Sequence, residues 1–390
     1  MIRPFDGYVV SQHAAERVVA PVAEDLNAAE RDRILATNPD TSLFLLTEQP
    51  AARAEARRYL ERVTADGTFQ PADGWWVYRI TDGEHRQTGV VAEVAVAAYE
   101  SNRIRRHENT VAEVATLVAD ALQEVGGSTH PVSLVYQRME AVDEIVARVV
   151  TDPPLVRVQR GIRAQEAWKV DDPGQLATVL DSIPNLYIAD GHHRSAAAAV
   201  LAERARLEPV GARSHFLAVL FPDTDMRTLS YHRCLHLRAY TPAEILAAIA
   251  RHFPIEAMPE PSDAGNGIPG PGEVWFCAEG DWYTLDLPHT PDEGPTSALD
   301  AARLQHQILG PICDVADPRT DPRLIYVPGS VPLSQLARVC GDQAGISFVT
   351  RPPTVDDVIA VSDAGGVMPP KSTWFTPKIG AGLFLRTLDD

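Results

Sequence analysis

The stretch 186–199 constrains the fold most, because a strand pattern changes into a helix pattern within a few residues. Residues 186–189 are apolar and are typical of the end of a strand, and the alanine-rich run from Ser195 favours a helix. Asp190 and Gly191 between them form a turn signal. The sequence therefore predicts an α/β or α+β fold: a mixed sheet with flanking helices and a smaller C-terminal lobe.

The turn itself carries side chains suited to chemistry: Asp190, Gly191, His192, His193 and Arg194. Unpaired N–H groups and the helix dipole make a helix start a natural anion site. The guanidinium of Arg194 suits phosphate or carboxylate, and the two imidazoles suit proton transfer or metal binding. The competing interpretation is a capped helix start with solvated histidines.

A second cluster, at 102–110, lies between a predicted strand and a predicted helix at 111–125. Glu108 is the candidate general base, since a carboxylate beside arginines stays ionised and accepts a hydroxyl proton. The alternative is purely structural: Asn109 or Thr110 caps the helix and the arginines form a solvated face.

A third cluster lies at 369–378, where Lys371 and Lys378 flank hydroxyl side chains in a proline-rich stretch. Such a loop suits phosphate oxygens, although a proline-rich turn with exposed lysines has the same composition. The sequence contains no Walker loop, no Gly-x-Gly-x-x-Gly and no His-Glu-x-x-His motif. Any nucleotide site therefore lies outside the common phosphate-loop folds.

Composition narrows the class of protein. The chain has 390 residues and a net charge of −18, which argues against a nucleic-acid surface. No signal-peptide pattern and no run of about 18 apolar residues is present, so we expect a cytoplasmic protein outside the membrane. The four cysteines are widely spaced, and we expect reduced, mostly buried thiols.

The proline- and glycine-rich stretch 254–272 predicts a loop without regular structure. We therefore expect a main domain at 1–253 with the phosphate motif, and a C-terminal lobe at 273–390 that contributes 369–378 to the same cleft. Residues 274–278 and 282–287 alternate in polarity and predict a hairpin.

Four segments carry a resemblance to a known family: 2–5, 104–110, 188–194 and 370–378, in this order. They resemble a bacterial domain-of-unknown-function family of about this length, whose members are described as free-serine kinases. The Ile-Ala-Asp-Gly-His-His-Arg motif at 188–194 is similar to the nucleotide-binding motif of ParB/sulfiredoxin-like folds.

The resemblance implies a small-molecule kinase that transfers a phosphoryl group from ATP or ADP to free serine or a related hydroxylated amino acid, with Mg²⁺. Glu108 and His107 would activate or position the hydroxyl, His192 would share in catalysis, and Asp190 would orient the motif or hold Mg²⁺. The residues assigned to the nucleotide are Arg106, Gly191, His192, His193, Arg194, Ser195, Lys371 and Lys378.

The chain departs from the family near Pro21, where 19–25 replaces a Pro-Pro-Tyr-Asp-like segment. Glu24 and Asp25 are therefore alternative bases. Two other functions stay open: a non-catalytic nucleotide- or amino-acid-binding regulator, and a metal-dependent hydrolase or lyase using His192 and His193. We expect a nucleotide and a small-molecule substrate as binding partners. A homodimer is compatible with the sequence.

Overall fold

The computed structural model describes residues 1–47, 49–205, 212–261, 267–289, 294–340 and 345–388. The chain divides into two compact units, Met1–Met226 with Pro377–Asp390 (unit 1) and Arg227–Thr376 (unit 2). The predicted mixed α/β class is confirmed, because parallel and antiparallel strands share one sheet with helices around it. The predicted functional division at 254–272 stays a prediction, whereas compactness divides the chain after Met226 and again after Thr376.

The strands are, in chain order, β1 (Ile2–Val10), β2 (Phe69–Gly74), β3 (Trp76–Asp82), β4 (His85–Ala95), β5 (Ile104–Arg105), β6 (Gly127–Ser128), β7 (Val132–Tyr136), β8 (Val156–Arg160), β9 (Arg163–Lys169), β10 (Leu186–Asp190), β11 (His215–Pro222), β12 (Arg227–Leu229), β13 (Tyr231–His236), β14 (Glu256–Met258), β15 (Glu273–Ala278), β16 (Asp281–Asp286), β17 (Leu324–Pro328), β18 (Gly345–Thr350), β19 (Trp374–Thr376) and β20 (Phe384–Thr387).

The helices are α1 (Gln12–Val18), α2 (Ala28–Thr37), α3 (Pro50–Ala65), α4 (Val96–Glu100), α5 (Ala112–Val125), α6 (Glu140–Val149), α7 (Leu176–Asp181), α8 (His192–Arg204), α9 (Pro242–Ala250), α10 (Asp300–Leu304), α11 (Leu333–Val339) and α12 (Val355–Asp363). None of these described helices combines the length and the apolar character that crossing a bilayer requires.

Unit 1 is built on one large sheet, whose main path runs β5-β10-β7-β11-β4-β1-β20-β6. The pairs β5–β10 and β7–β11 are parallel, and the other pairs along this path are antiparallel. β10 is buried from Leu186 to Ala189, as its unbroken apolar run predicts. Because β20 pairs with β1, the C-terminal segment returns to unit 1 and brings Lys378 with it.

α8 packs against α5, which is itself tied to α3. α8 packs on α5 through small side chains, Ala197 against Ala119, with Leu201 beside them. α5 in turn is tied to α3 by the buried Arg53, whose Nη1 lies 2.7 Å from a carboxylate oxygen of Glu124. Alanine at the crossing lets two helices approach closely, so the alanine-rich sequence of α8 serves its packing as well as its helix propensity.

Unit 2 contains a six-stranded antiparallel sheet in the order β14-β16-β15-β18-β13-β17. The predicted hairpin is confirmed as β15 and β16. The expectation that 254–272 holds no regular element is wrong at one place, because Glu256–Met258 forms β14 on the edge of β16. These three residues lie between Pro254 and Pro259, so the strand ends where proline would remove a donor.

The expectation of four reduced cysteines is also corrected. Cys234 of β13 and Cys340, directly after α11, form a disulfide across a sequence separation of 106 residues. Cys277 and Cys313 are buried thiols. A pairing between residues so far apart leaves no local signal in the sequence, so only the fold reveals it.

Candidate functional site

A cleft of about 430 Å³ lies in unit 1 at the start of α8. Its polar end is formed by the turn between β10 and α8, and Glu108 lines the same cleft. Its apolar wall comes from α5 and from the turn at 45–47, with Leu46 and Leu122 among the lining side chains. The cleft therefore offers one end to charge and one wall to a flat apolar group.

Gly191 makes the sharp turn from β10 into α8. Its φ is +100°, in the left-handed region that favours glycine, and a Cβ there would lie 3.0 Å from Cζ of Arg194. The N–H groups of the first helical turn, which have no acceptor within a helix, therefore belong to residues at the polar end of the cleft. This is the anion-friendly geometry that the sequence predicts.

Asp190 is held between two cations. Its Oδ1 accepts a hydrogen bond from Nζ of Lys378 at 2.9 Å, and its Oδ2 accepts one from Arg194. Burial raises the pKa of Asp190, but the charges of Arg194 and Lys378 outweigh it and hold the pKa well below its ordinary value. Asp190 is therefore a carboxylate at neutral pH, and its charge is balanced within the protein.

Arg194 is engaged within the protein as well. Its Nη1 donates to the carbonyl oxygen of His130 at 3.0 Å and to that of Pro131, while Nη2 binds Asp190. The guanidinium thus fixes the turn against the segment before β7. Direct contact of Arg194 with a phosphate stays a prediction.

Glu108 and His192 lie close to one another. Oε2 of Glu108 is 3.9 Å from Nδ1 of His192, and 37% of the Glu108 side chain is exposed against 7% for His192. Burial lowers the pKa of His192 to about 4, so its ring is neutral at neutral pH. A partly exposed carboxylate beside a neutral imidazole is a suitable proton acceptor.

The buried ring of His107 packs against the ring of His192. Its ring meets that of His192 edge-on, with centroids 4.6 Å apart, and it makes a hydrogen bond with the backbone of Ile188. Burial, followed by the neighbouring His192, lowers the pKa of His107 well below its ordinary value. Two neutral rings in contact fix the position of His192 without adding charge to the cleft.

The remaining predicted residues lie in different surroundings. Ser195 is buried and its Oγ donates to the carbonyl oxygen of Gly191 at 3.2 Å, as a helix-internal contact. Arg106 is exposed, with its guanidinium 5.8 Å from the ring centroid of Tyr99. Lys371 belongs to unit 2, where Nζ lies 5.3 Å from the ring centroid of Tyr231.

The capping part of the structural alternative for the second cluster is not observed, although Arg103 and Arg106 are exposed as that alternative expects. α5 begins after Val111, which makes no side-chain cap, so neither Asn109 nor Thr110 acts as the helix cap. Of the alternative bases, Asp25 forms an ion pair with Arg163. The side chain of Glu24 lies outside the described residues.

Two cleft residues were missed from the sequence. Arg31 of α2 lines the cleft, and its Nη2 donates to the carbonyl oxygen of Leu46 at 2.6 Å. His130, whose carbonyl binds Arg194, lines it too. Each stands alone in an unremarkable stretch, so no local pattern could have singled it out.

Fold and site together define a mixed α/β protein with a polar cleft where a buried strand leads into a helix. More particularly, the chain belongs to the family described as "Protein of unknown function (DUF1015)", whose model matches residues 2–302. This confirms the predicted membership of a domain-of-unknown-function family over a range that includes three of the four segments, 2–5, 104–110 and 188–194. No curated protein matches the chain.

Several solved structures are similar to this chain at a low level. A free serine kinase in complex with AMP is 11% identical, with a TM-score of 0.40 over 79% of this chain and 94% of that one. A conserved hypothetical protein from Pyrococcus furiosus is 13% identical, with a TM-score of 0.38 over 79% and 97%. SbnI from Staphylococcus aureus, truncated at its C-terminus, is 12% identical, with a TM-score of 0.40 over 77% and 90%. Similarity this low carries no functional argument for this chain.

Proposed function

We propose that this chain is a small-molecule kinase that transfers a phosphoryl group from ATP or ADP to the hydroxyl of free serine or a related amino acid. One observation carries the proposal: the start of α8, the carboxylate of Glu108 and an apolar wall line the same cleft of about 430 Å³. Phosphoryl transfer needs these parts, because its catalysis is mainly positioning and electrostatic stabilisation.

The nucleotide occupies the cleft with its phosphates at the first turn of α8. Backbone N–H groups and the positive end of the helix dipole favour negative charge there. The base packs on the apolar wall, where Leu46 and Leu122 offer a surface for a flat ring. Lys378 and Arg194 act through Asp190: they fix the turn that presents the N–H groups.

In the transfer step the hydroxyl oxygen of the acceptor attacks the terminal phosphorus. The bond from that phosphorus to the bridging oxygen breaks, and the shortened nucleotide leaves with the bonding electron pair. Glu108 takes the hydroxyl proton, and the neutral ring of His192 lies beside the carboxylate at 3.9 Å. The products are a phosphomonoester and ADP from ATP, or AMP from ADP.

Asp190 does not fit the predicted role of a Mg²⁺ ligand. Both its oxygens already bind cations, Lys378 and Arg194, and these repel a third positive charge. Among the residues that the structure describes, no group of three or more His, Cys, Asp or Glu side chains is arranged to hold a metal ion. The described residues of this turn therefore do not fit the metal site that the hydrolase or lyase alternative requires.

Phosphorus NMR tests the proposal directly. The full chain is incubated with the magnesium complex of ATP or ADP and a panel of free amino acids led by L-serine. We expect a new phosphomonoester resonance, and a loss of about 100-fold or more in turnover for Glu108→Gln. Glu113→Gln, which removes an exposed carboxylate of α5, is the matched control and should retain turnover within about twofold.

One observation favours the regulator as a second candidate. Asp25, from the segment that departs from the family, is engaged by Arg163 and is not available as a base. If Glu108 were likewise inactive, the cleft would bind without turnover. Nucleotide resonances that broaden on binding, but stay unconverted with every amino acid in the panel, would support the regulator against the kinase.

A further inference from the structure

We propose that Arg31 recognises the carboxylate of the acceptor, so that α2 is the element that selects an amino acid over other alcohols. This inference rests on the proposed function, since it concerns the acceptor of the same cleft.

Among the residues that the structure describes, Arg31 is the lining arginine without an acidic partner. Of the two arginines among the described lining residues, Arg194 is paired with Asp190, whereas Arg31 donates to a neutral carbonyl, that of Leu46. A hydrogen bond to a neutral carbonyl leaves the positive charge uncompensated. The planar guanidinium is also the side chain best shaped to bind a carboxylate through two parallel hydrogen bonds.

The acceptor needs such a partner. A free amino acid carries a carboxylate at neutral pH, and the carboxylate of Glu108, which lines the cleft, would repel it. If the nucleotide phosphates take the start of α8, then Arg31 is the cation left for the acceptor among the described residues of the lining. A simple alcohol has no carboxylate and gains nothing from it.

α2 is also weakly packed, which suits an element that responds to a ligand. None of its residues is buried, and a cavity of about 910 Å³ lies between it and α3. It is held mainly by local contacts: its capping box, in which Asn27 and Glu30 bond reciprocally, and the hydrogen bond from Arg31 to the carbonyl oxygen of Leu46. A carboxylate that binds Arg31 would therefore tie α2 to the cleft and slow its local opening.

The test compares L-serine with L-serinamide, which lacks the carboxylate, at saturating nucleotide. The proteins are the wild type, Arg31→Gln and the matched control Arg33→Gln, an exposed arginine of the same helix. We expect Arg31→Gln to raise the KM for serine about 10- to 100-fold, to leave the KM for nucleotide unchanged and to abolish the preference for serine over serinamide. Arg33→Gln should behave as the wild type.

Hydrogen–deuterium exchange supplies a readout that does not need turnover. L-Serine should slow exchange in the peptides of α2 in the wild type and in Arg33→Gln, but not in Arg31→Gln. If no amino acid is phosphorylated yet this protection is seen, the kinase proposal fails and the recognition by Arg31 stands.

Two outcomes would overturn the inference. In one, Arg31→Gln raises the KM for nucleotide and keeps the preference for serine, which would assign Arg31 to the phosphates. In the other, serine produces neither turnover nor protection of α2 in the wild type.

Discussion

Replacing Lys378 by methionine removes one of the two cations that hold Asp190 while keeping most of the side-chain volume. Lys378 is 14% exposed and Asp190 is 26% exposed, with 2.9 Å between Nζ and Oδ1. Breaking a fully buried pair costs about 3–5 kcal/mol, and an exposed pair contributes about 0–1 kcal/mol. Because this pair is partly buried and Asp190 keeps Arg194, we expect a loss of about 2 kcal/mol in the free energy of unfolding.

The loss in the free energy of unfolding caused by Lys378→Met should depend on pH in a defined direction. The folded-state pKa of Asp190 is depressed, so its contribution is complete above the unfolded pKa of about 3.9 and is lost as pH falls through the folded value. The substitution should therefore cost the same at pH 7 and pH 5, and the cost should shrink only below about pH 4.

Urea unfolding of the full chain measures this loss of free energy of unfolding. Hydrogen exchange of the peptides of β10 and α8 is the readout, because it reports on unit 1 and two compact units need not unfold together. Lys169→Met is the matched control, because Lys169 lies 3.6 Å from a 90% exposed Asp73 and should cost at most about 0.5 kcal/mol. Equal costs for the two variants, or a cost at Lys378 that disappears between pH 7 and pH 5, would refute the reasoning.

Three further predictions concern the surroundings of the cleft. Gly191→Ala should lower the free energy of unfolding by about 2 kcal/mol, because it adds a close contact to backbone strain, whereas Gly83→Ala, at a φ of +62° with open space, should lower it by about 1 kcal/mol. Equal midpoints of the two variants in thermal unfolding would contradict this. In urea unfolding, Arg53→Ala should lower the free energy of unfolding by about 2 kcal/mol and Arg57→Ala, in an exposed helical pair, by about 0.3 kcal/mol. A reversed order would show that the ion pair between α3 and α5 is unimportant. His192→Asn should flatten the pH dependence of the free energy of unfolding between about pH 6.5 and pH 4, because a histidine with a folded pKa of about 4 contributes fully above its unfolded pKa and less as pH falls. A slope like that of the wild type would place the titrating group elsewhere.

The sequence predicts the local parts of this site well. The end of β10, the turn and α8 follow from an apolar run, Asp-Gly and an alanine-rich stretch, all within 186–199. α5 begins and ends within one residue of its predicted bounds, because its apolar periodicity is strong. Such signals act over a few residues, and the sequence displays them directly.

Long-range relations were harder to predict. Placing Glu108 beside His192 needed the parallel pairing of β5 with β10, which a shared strand-to-helix context suggests but does not fix. The disulfide between Cys234 and Cys340 and the tie from Lys378 to Asp190 join residues more than 100 positions apart. They arise from the folded chain, and no pattern of neighbouring residues reports them.

A crystal structure of the full chain with bound ADP tests the central claim most directly. The account predicts phosphate oxygens within hydrogen-bond distance of the backbone N–H groups of His192 and His193, and the base against Leu46 and Leu122. A nucleotide bound elsewhere in unit 1, or in unit 2, would contradict it.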